Sequence, residues 1–243
     1  MITPKEIKKA TMNPEKKASA RNDYFAYYVG RPISYVLTVP FLYTNMSPNL
    51  ISLLSIIPLL VGFALFYSAQ TKFYLYIGWL MYFIWNLLDG VDGNVARYKK
   101  QFSKMGSVFD AMSGYVAMVF TFFSAGIAAA HFNVSSINIT PEMYIILGAF
   151  SGIFMIFPRL VMHKAISSAG DNKGVRAVKD KSNFGIFKVI ILNLDSVTGG
   201  AQILLLIAIM TNLLEAYTIL YFGLNFAIMI ISLHSVLKKQ NEE

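Results

Sequence analysis

The chain has 243 residues, 56% of them hydrophobic and 14% charged, with a mean hydropathy of +0.53 and a formal net charge of +8. A soluble domain of this size needs far more charge, so length and composition together describe one domain that lives in a bilayer. The basic residues are confined to particular segments, which excludes a nucleic-acid binder with a charged face, and the absence of Cys excludes disulfide and thiol chemistry.

Residues 1–23 hold Lys5, Lys8, Lys9, Lys16, Lys17 and Arg21 against Glu6, Glu15 and Asp23. They read as a cytoplasmic basic tail, with attraction to anionic headgroups and plain solubility as competing roles. No apolar core with a small-residue cleavage site is present there, so no removable signal peptide is expected. Tyr24–Tyr43 is aromatic and interrupted by Arg31, Pro32 and Pro40, which suits an amphipathic segment lying in the interface better than a spanning helix. Domain organisation follows: residues 1–46 as tail and interfacial segment, and 47–243 as the membrane domain.

Ser47 is a natural N-cap and Pro48 a natural first helical residue for a span over Leu50–Ala69. A second span starts at Phe73 and reaches Leu88. It satisfies the roughly 20 apolar residues that a hydrocarbon core requires only if it continues into the polar residues that follow. A third runs from Ser107 to about Ala130 and a fourth over Met143–Met162. Between them, Asn133 and Asn138 match glycosylation acceptors, from which nothing is drawn. After a basic connector at 165–188, a fifth span begins beyond Asp195 and runs to about Leu213, and a sixth covers Ala216–Leu237. The expected fold is an all-α integral membrane protein with six transmembrane helices plus the N-terminal interfacial segment. Basic residues crowd the tail, Arg97–Lys104, Arg159–Lys188 and the C-terminus, whereas the intervening loops contain only Lys72. With six spans, both termini and residues 89–110 fall on the cytoplasmic side.

Only 13 residues are acidic, and Asp89, Asp92 and Asp110 cluster around the junction of the second and third spans. Asp89 and Asp92 share a helix face, and a tight turn through Tyr98–Lys104 returns Asp110 to it. Carboxylates converging at the end of a membrane helix repel one another and are poorly solvated, and a hard divalent cation, Mg²⁺ or Mn²⁺, removes both problems. Gly90 and Gly93 let a bulky polar ligand approach the backbone, Ala96 extends the small face, and Arg97 offers a forked phosphate donor. The alternative is a set of helix-end aspartates pairing with Arg97, Lys99 and Lys100.

From Asp89 through Asp92, Gly93, Ala96, Arg97 and Gly106 to Asp110, the sequence resembles the CDP-alcohol phosphotransferase (CDP-alcohol phosphatidyltransferase) signature Asp-x2-Asp-Gly-x2-Ala-Arg-x8-Gly-x3-Asp-x3-Asp. It departs at the fourth aspartate, where Gly114 stands. The resemblance implies a metal held by Asp89, Asp92 and Asp110, and a nucleotide contacted by Asn49, Asp89, Gly93, Ala96 and Arg97. It further implies a CDP-linked donor, a hydroxyl acceptor, membrane lipids as surroundings, and a homodimer as the family's frequent state. The implied reaction is transfer of a phosphoalcohol or phosphatidyl group with release of CMP, in phospholipid or related lipid or glycan synthesis. In the family the fourth aspartate acts as general base and helps hold a second metal ion, neither of which Gly114 can do. Ser113 and Tyr115 are poor replacements, which leaves the catalytic base unassigned. Asp195 is a candidate base in competition with a helix-start role. Arg159, Lys164 and Arg176 form a candidate anion or acceptor site, in competition with orientation signalling alone. Two further readings stay open: an impaired family member that binds metal and CDP-substrate without transfer, and an ion channel or transporter.

Overall fold

A computed structural model describes residues 2–132, 139–169 and 186–240 of the chain, and among them every regular element is helical. Helix α1 (Pro4–Thr11) opens with a capping box in which the Thr3 hydroxyl accepts from the Glu6 amide and Glu6 accepts from the Thr3 amide. Helix α2 (Pro14–Ala20) follows, and then a π-helical turn over Ala26–Gly30 leads directly into α3 (Arg31–Leu42). Residues 2–23 are thus largely helical. Ile7 of α1 is fully buried and joins Tyr35, Leu42, Ile51, Val91 and Val95 in a small apolar core.

Ser47 caps α4 (Pro48–Tyr67) as its position before Pro48 predicts, its hydroxyl accepting from Leu50 N–H at 3.2 Å. Helix α5 (Lys72–Tyr98) runs without a break through the aspartate motif. It ends in a Schellman turn: Lys100 takes a left-handed conformation (φ 55°) and Gln101 N–H returns to the Ala96 carbonyl at 2.9 Å. Lys99 ties this turn to the Thr44 carbonyl at 2.7 Å. The chain reverses over residues 101–105 and enters α6 (Gly106–His131). Helices α7 (Pro141–Ala169), α8 (Ile186–Asp195), α9 (Gly200–Thr211) and α10 (Leu214–Gln240) complete the bundle.

Among the described residues, four helices are long and apolar enough to cross a membrane: Pro48–Tyr67, Gly106–His131, Pro141–Lys164 and Leu214–His234. The pair Val189–Asp195 and Gly200–Thr211, bent by 56°, makes a fifth if it counts as one span. The fifth span therefore differs from the expected start after Asp195, because a helix already precedes that residue. The bend sits where Gly200 packs so tightly on the Asn193 carbonyl oxygen that no Cβ fits between them. Helix α5 is not among these candidates, although it has 27 residues. Asn86, Asp92 and Asn94 dilute its apolar character, and all three are buried inside the bundle.

Half of the apolar stretch of α6 is buried, against 22% for α7 and α10, so α6 is the central post and the others present most of their surface outward. Small residues allow the tight crossings that packing without a hydrophobic driving force requires. A Cβ on Gly126 of α6 would collide with the Tyr144 carbonyl oxygen of α7, and one on Gly148 would lie 2.5 Å from the Phe122 carbonyl oxygen. Gly62 of α4 and Gly78 of α5 interlock with Tyr82 and Phe66 in the same way. At Gly223 of α10 a Cβ would meet nothing within 4 Å. Gly126→Ala should therefore destabilise the protein by about 1–3 kcal/mol through overpacking. Gly223→Ala should leave the melting temperature in detergent unchanged or slightly higher, and equal melting of the two variants would contradict this packing.

Candidate metal and nucleotide site

Asp89 and Asp92 stand one turn apart on α5, and Asp110 sits in the first turns of α6 after the reversal. One carboxylate oxygen from each lies within 4.8 Å of the others. Asp92 is only 5% exposed, and Ser52 of α4 donates a hydrogen bond to its Oδ2. Asp110 is exposed and Asp89 half-buried, so the group has a sealed side and an open side. Three converging hard-oxygen donors, with no Cys in the chain and no His in the group, fit an Mg²⁺- or Mn²⁺-type cation and do not fit zinc.

Two cavities meet at this group. The larger, about 400 Å³, lies between α5 and the N-terminal segment and is lined by Asp23, Arg31, Ser34, Asn86 and Thr198 besides the three aspartates. The other, about 370 Å³, lies toward α4 and the 101–107 turn, with Asn49, Ser52, Ala96, Gln101, Ser103 and Gly106 in its wall. Asp92, Gly93, Arg97 and Asp110 belong to both walls. A ligand with two linked phosphates can therefore lie across the acids with one end in each cavity.

The Arg97 guanidinium folds back along its own helix, and this is what Gly93 permits. A Cβ there would be 2.7 Å from Arg97 Nη2. Arg97 Nη2 donates to Asn94 Oδ1 at 3.4 Å. Asn94 in turn donates to Ser34 and Thr38 of α3 at 3.3 and 3.1 Å. Arg97 Nε is buried without a hydrogen-bond partner among the described residues. In the other wall, Asn49 and Ser103 exchange hydrogen bonds at 3.0 and 3.1 Å, closing α4 onto the turn before α6.

A family profile for CDP-alcohol phosphatidyltransferases matches residues 45–234. The chain belongs to the CDP-alcohol phosphatidyltransferase family. No individual curated protein matches it significantly. It is accordingly a member of a membrane transferase family, and its three motif aspartates offer a place for the metal on which the family typically depends.

The structure gathers Asn49, Asp89, Asp92, Gly93, Ala96, Arg97 and Asp110 around the two cavities. The residues beside Gly114 are engaged in other contacts. Ser113 Oγ bonds Ser55 Oγ and Trp85 Nε1, each at 2.8 Å, and Tyr115 bonds His163 at 2.8 Å. A Cβ on Gly114 would meet only Met118 Cε, at 4.0 Å, so there is room for a side chain. Arg159 faces Asp195 at 3.8 Å, Lys164 is exposed, and Arg176 lies outside the described residues. Neither Arg159, Lys164 nor Asp195 lines either cavity.

Asp23 and Arg31 were not legible as site residues. Both come from the segment before the family match, and no spacing rule connects them to residue 89. Asp23 is held at the cavity wall by the Ser196 hydroxyl, which donates to Oδ2 at 2.9 Å, and by Ala26 N–H, which reaches Oδ1 at 3.4 Å. Asn193 fastens the neighbouring backbone, donating to the Asn22 carbonyl at 2.6 Å and accepting from Tyr24 N–H at 2.8 Å. The one sequence cue was an acid placed immediately before the aromatic run.

Ser52 orients one carboxylate of the group from outside it. Ser52→Ala should weaken Mn²⁺ binding about tenfold, as loss of an outer-shell hydrogen bond commonly does. Asp92→Asn should remove most of the binding. Titration of Mn²⁺ followed by electron paramagnetic resonance checks both, and full affinity in Asp92→Asn would exclude this group as the metal site.

Proposed function

We propose that the protein is a metal-dependent CDP-alcohol phosphotransferase. It transfers a phosphatidyl or phosphoalcohol group from a CDP-linked donor to a hydroxyl acceptor, with release of CMP, in phospholipid or related lipid synthesis. The observation that carries this reading is the convergence of Asp89, Asp92 and Asp110 at the seam between two cavities.

In this reading Asn49, Gly93 and Ala96 receive the cytidine side of the donor in the cavity toward α4. Arg97 spans the seam and takes the diphosphate oxygens through its fork. An Mg²⁺ or Mn²⁺ ion held by the three aspartates supplies charge neutralisation for the diphosphate and the departing phosphate. The acceptor enters the larger cavity, where Asn86 and Thr198 offer polar groups and Arg31 a second cation. Its hydroxyl oxygen forms the new bond to the phosphorus carrying the alcohol, the bridging P–O bond to CMP breaks, and the hydroxyl proton passes to a carboxylate. With Gly114 at the customary position, we assign that proton to Asp23, whose carboxylate faces the cavity on oriented hydrogen bonds from Ser196 and Ala26.

The membrane arrangement proposed with it has six crossings, with α5 as the polar one and the bent α8–α9 pair as another. Both termini and the acids lie on the cytoplasmic side, as the distribution of Lys and Arg favours. The domain proper starts near residue 47, close to the start of the family match at 45, while residues 20–34 contribute cavity wall. Membership of a transferase family weighs against the channel or transporter reading.

Gly114 favours one second reading, a member that binds donor and metal but transfers slowly or not at all. The discriminating measurement is CMP release by the purified chain from CDP-diacylglycerol and CDP-alcohols with Mg²⁺ or Mn²⁺ and a panel of hydroxyl acceptors. Asp23→Asn should lower turnover by about 10²-fold or more with unchanged Mn²⁺ affinity, and Gly114→Asp should raise it. Turnover that survives Asp23→Asn would overturn the base assignment. Metal-dependent CDP binding with no CMP release from any pair would establish the impaired form.

A further inference from the structure

Beside the larger cavity, on the side of α1 and α2, lies a separate one of about 350 Å³. Its wall carries Lys8, Lys17, Arg21 and Arg31 together with Tyr27 and Tyr35, and no carboxylate lines it among the described residues. The nearest acid of α1, Glu6, is committed to the Thr3 capping box. Four cations around one cavity give it a positive potential that favours an anion there.

Tyr35 provides an independent indication. Its side chain is 5% exposed, the residue belongs both to the wall of this cavity and to the apolar core around Ile7, and its buried hydroxyl has no hydrogen-bond partner among the described residues. A buried phenol O–H without an acceptor is costly, and a phenylalanine would pack there equally well. The missing partner is an acceptor, and the surrounding positive charges favour an anionic one.

We propose that this cavity binds a phosphoryl group, with Arg21 and Arg31 gripping its oxygens through their forked donors, Lys8 and Lys17 neutralising its charge, and the Tyr35 hydroxyl donating to a remaining oxygen. Phosphate chemistry meets the combined demand for a compact, multiply charged group that accepts hydrogen bonds on several sides. The headgroup of a phosphomonoester lipid and a soluble phosphorylated molecule present the same chemistry. Arg31 belongs to this cavity and to the larger one beside it, so an occupant here is electrostatically sensed at the aspartate site. The proposal does not rest on the transferase reading.

The test uses the full chain in phosphatidylcholine nanodiscs with EDTA present and no CDP-linked donor, so the aspartate group takes no part. Inorganic phosphate is titrated while thermal unfolding is followed, and a parallel arm adds phosphatidic acid to the nanodiscs. Arg21→Gln should weaken the apparent affinity about tenfold and Tyr35→Phe about threefold, in line with loss of a charged and a neutral donor. Lys9→Gln, a cation of α1 that does not line the cavity, should leave affinity unchanged. Tyr35→Phe breaks no hydrogen bond within the described protein, so without anion it should melt no lower than the parent. Stabilisation by soluble phosphate that these variants reduce supports a soluble ligand, and stabilisation by phosphatidic acid alone, reduced in the same way, supports a lipid headgroup. No stabilisation in either arm, or equal loss in Lys9→Gln and Arg21→Gln, would overturn the proposal. A failure to release CMP has no bearing on these readouts.

Discussion

Three carboxylates whose oxygens lie within 4.8 Å of one another, where α5 and α6 meet, are the constraint to which the rest of the protein answers. At an effective dielectric constant of about 20, each pair of charges at that distance repels by roughly 3 kcal/mol. The bundle meets this with a preorganised surround. Ser52 donates into the sealed side, Arg97 is laid back against Gly93, and the open side faces two cavities. The backbone that maintains the arrangement is bonded independently of any ligand, through the Schellman turn at Lys100 and the Lys99 tie to Thr44.

The second organising feature is the attachment of the N-terminal segment. Ile7 is buried in the core shared with α3 and α5, and the backbone around Asp23 is stitched to Asn193 and Ser196 at the α8–α9 bend. These contacts convert a basic stretch into wall for two cavities. They also place Arg31 where its charge is felt in both. A segment outside the family match thereby controls much of the polar character of the space in front of the aspartates. At Gly114 there is room for a side chain where the sequence has none.

Much of this was legible along the chain because the physics involved is local. The cap at Ser47, the unbroken helix through Asp92 and the facing of Asp89 and Asp92 follow from residue preference and helical period. The apolar runs of α4, α6, α7 and α10 followed from the demands of a hydrocarbon solvent. The motif spacing identified the family, because seven residue types at set intervals leave little latitude.

Other features were settled only when distant segments met. The order of residues does not say that Asp23 lies by Ser196, that Tyr35 keeps a buried hydroxyl beside a cation-lined cavity, or that Arg159 turns to Asp195. The kink between α8 and α9 depends on how closely Gly200 can approach the Asn193 carbonyl, and hydropathy carries no record of that distance. Local chemistry determined the helices, the solvent they inhabit and the trio of acids. Long-range packing decided what faces those acids, because side chains far apart in sequence become neighbours only through the particular crossings of the bundle.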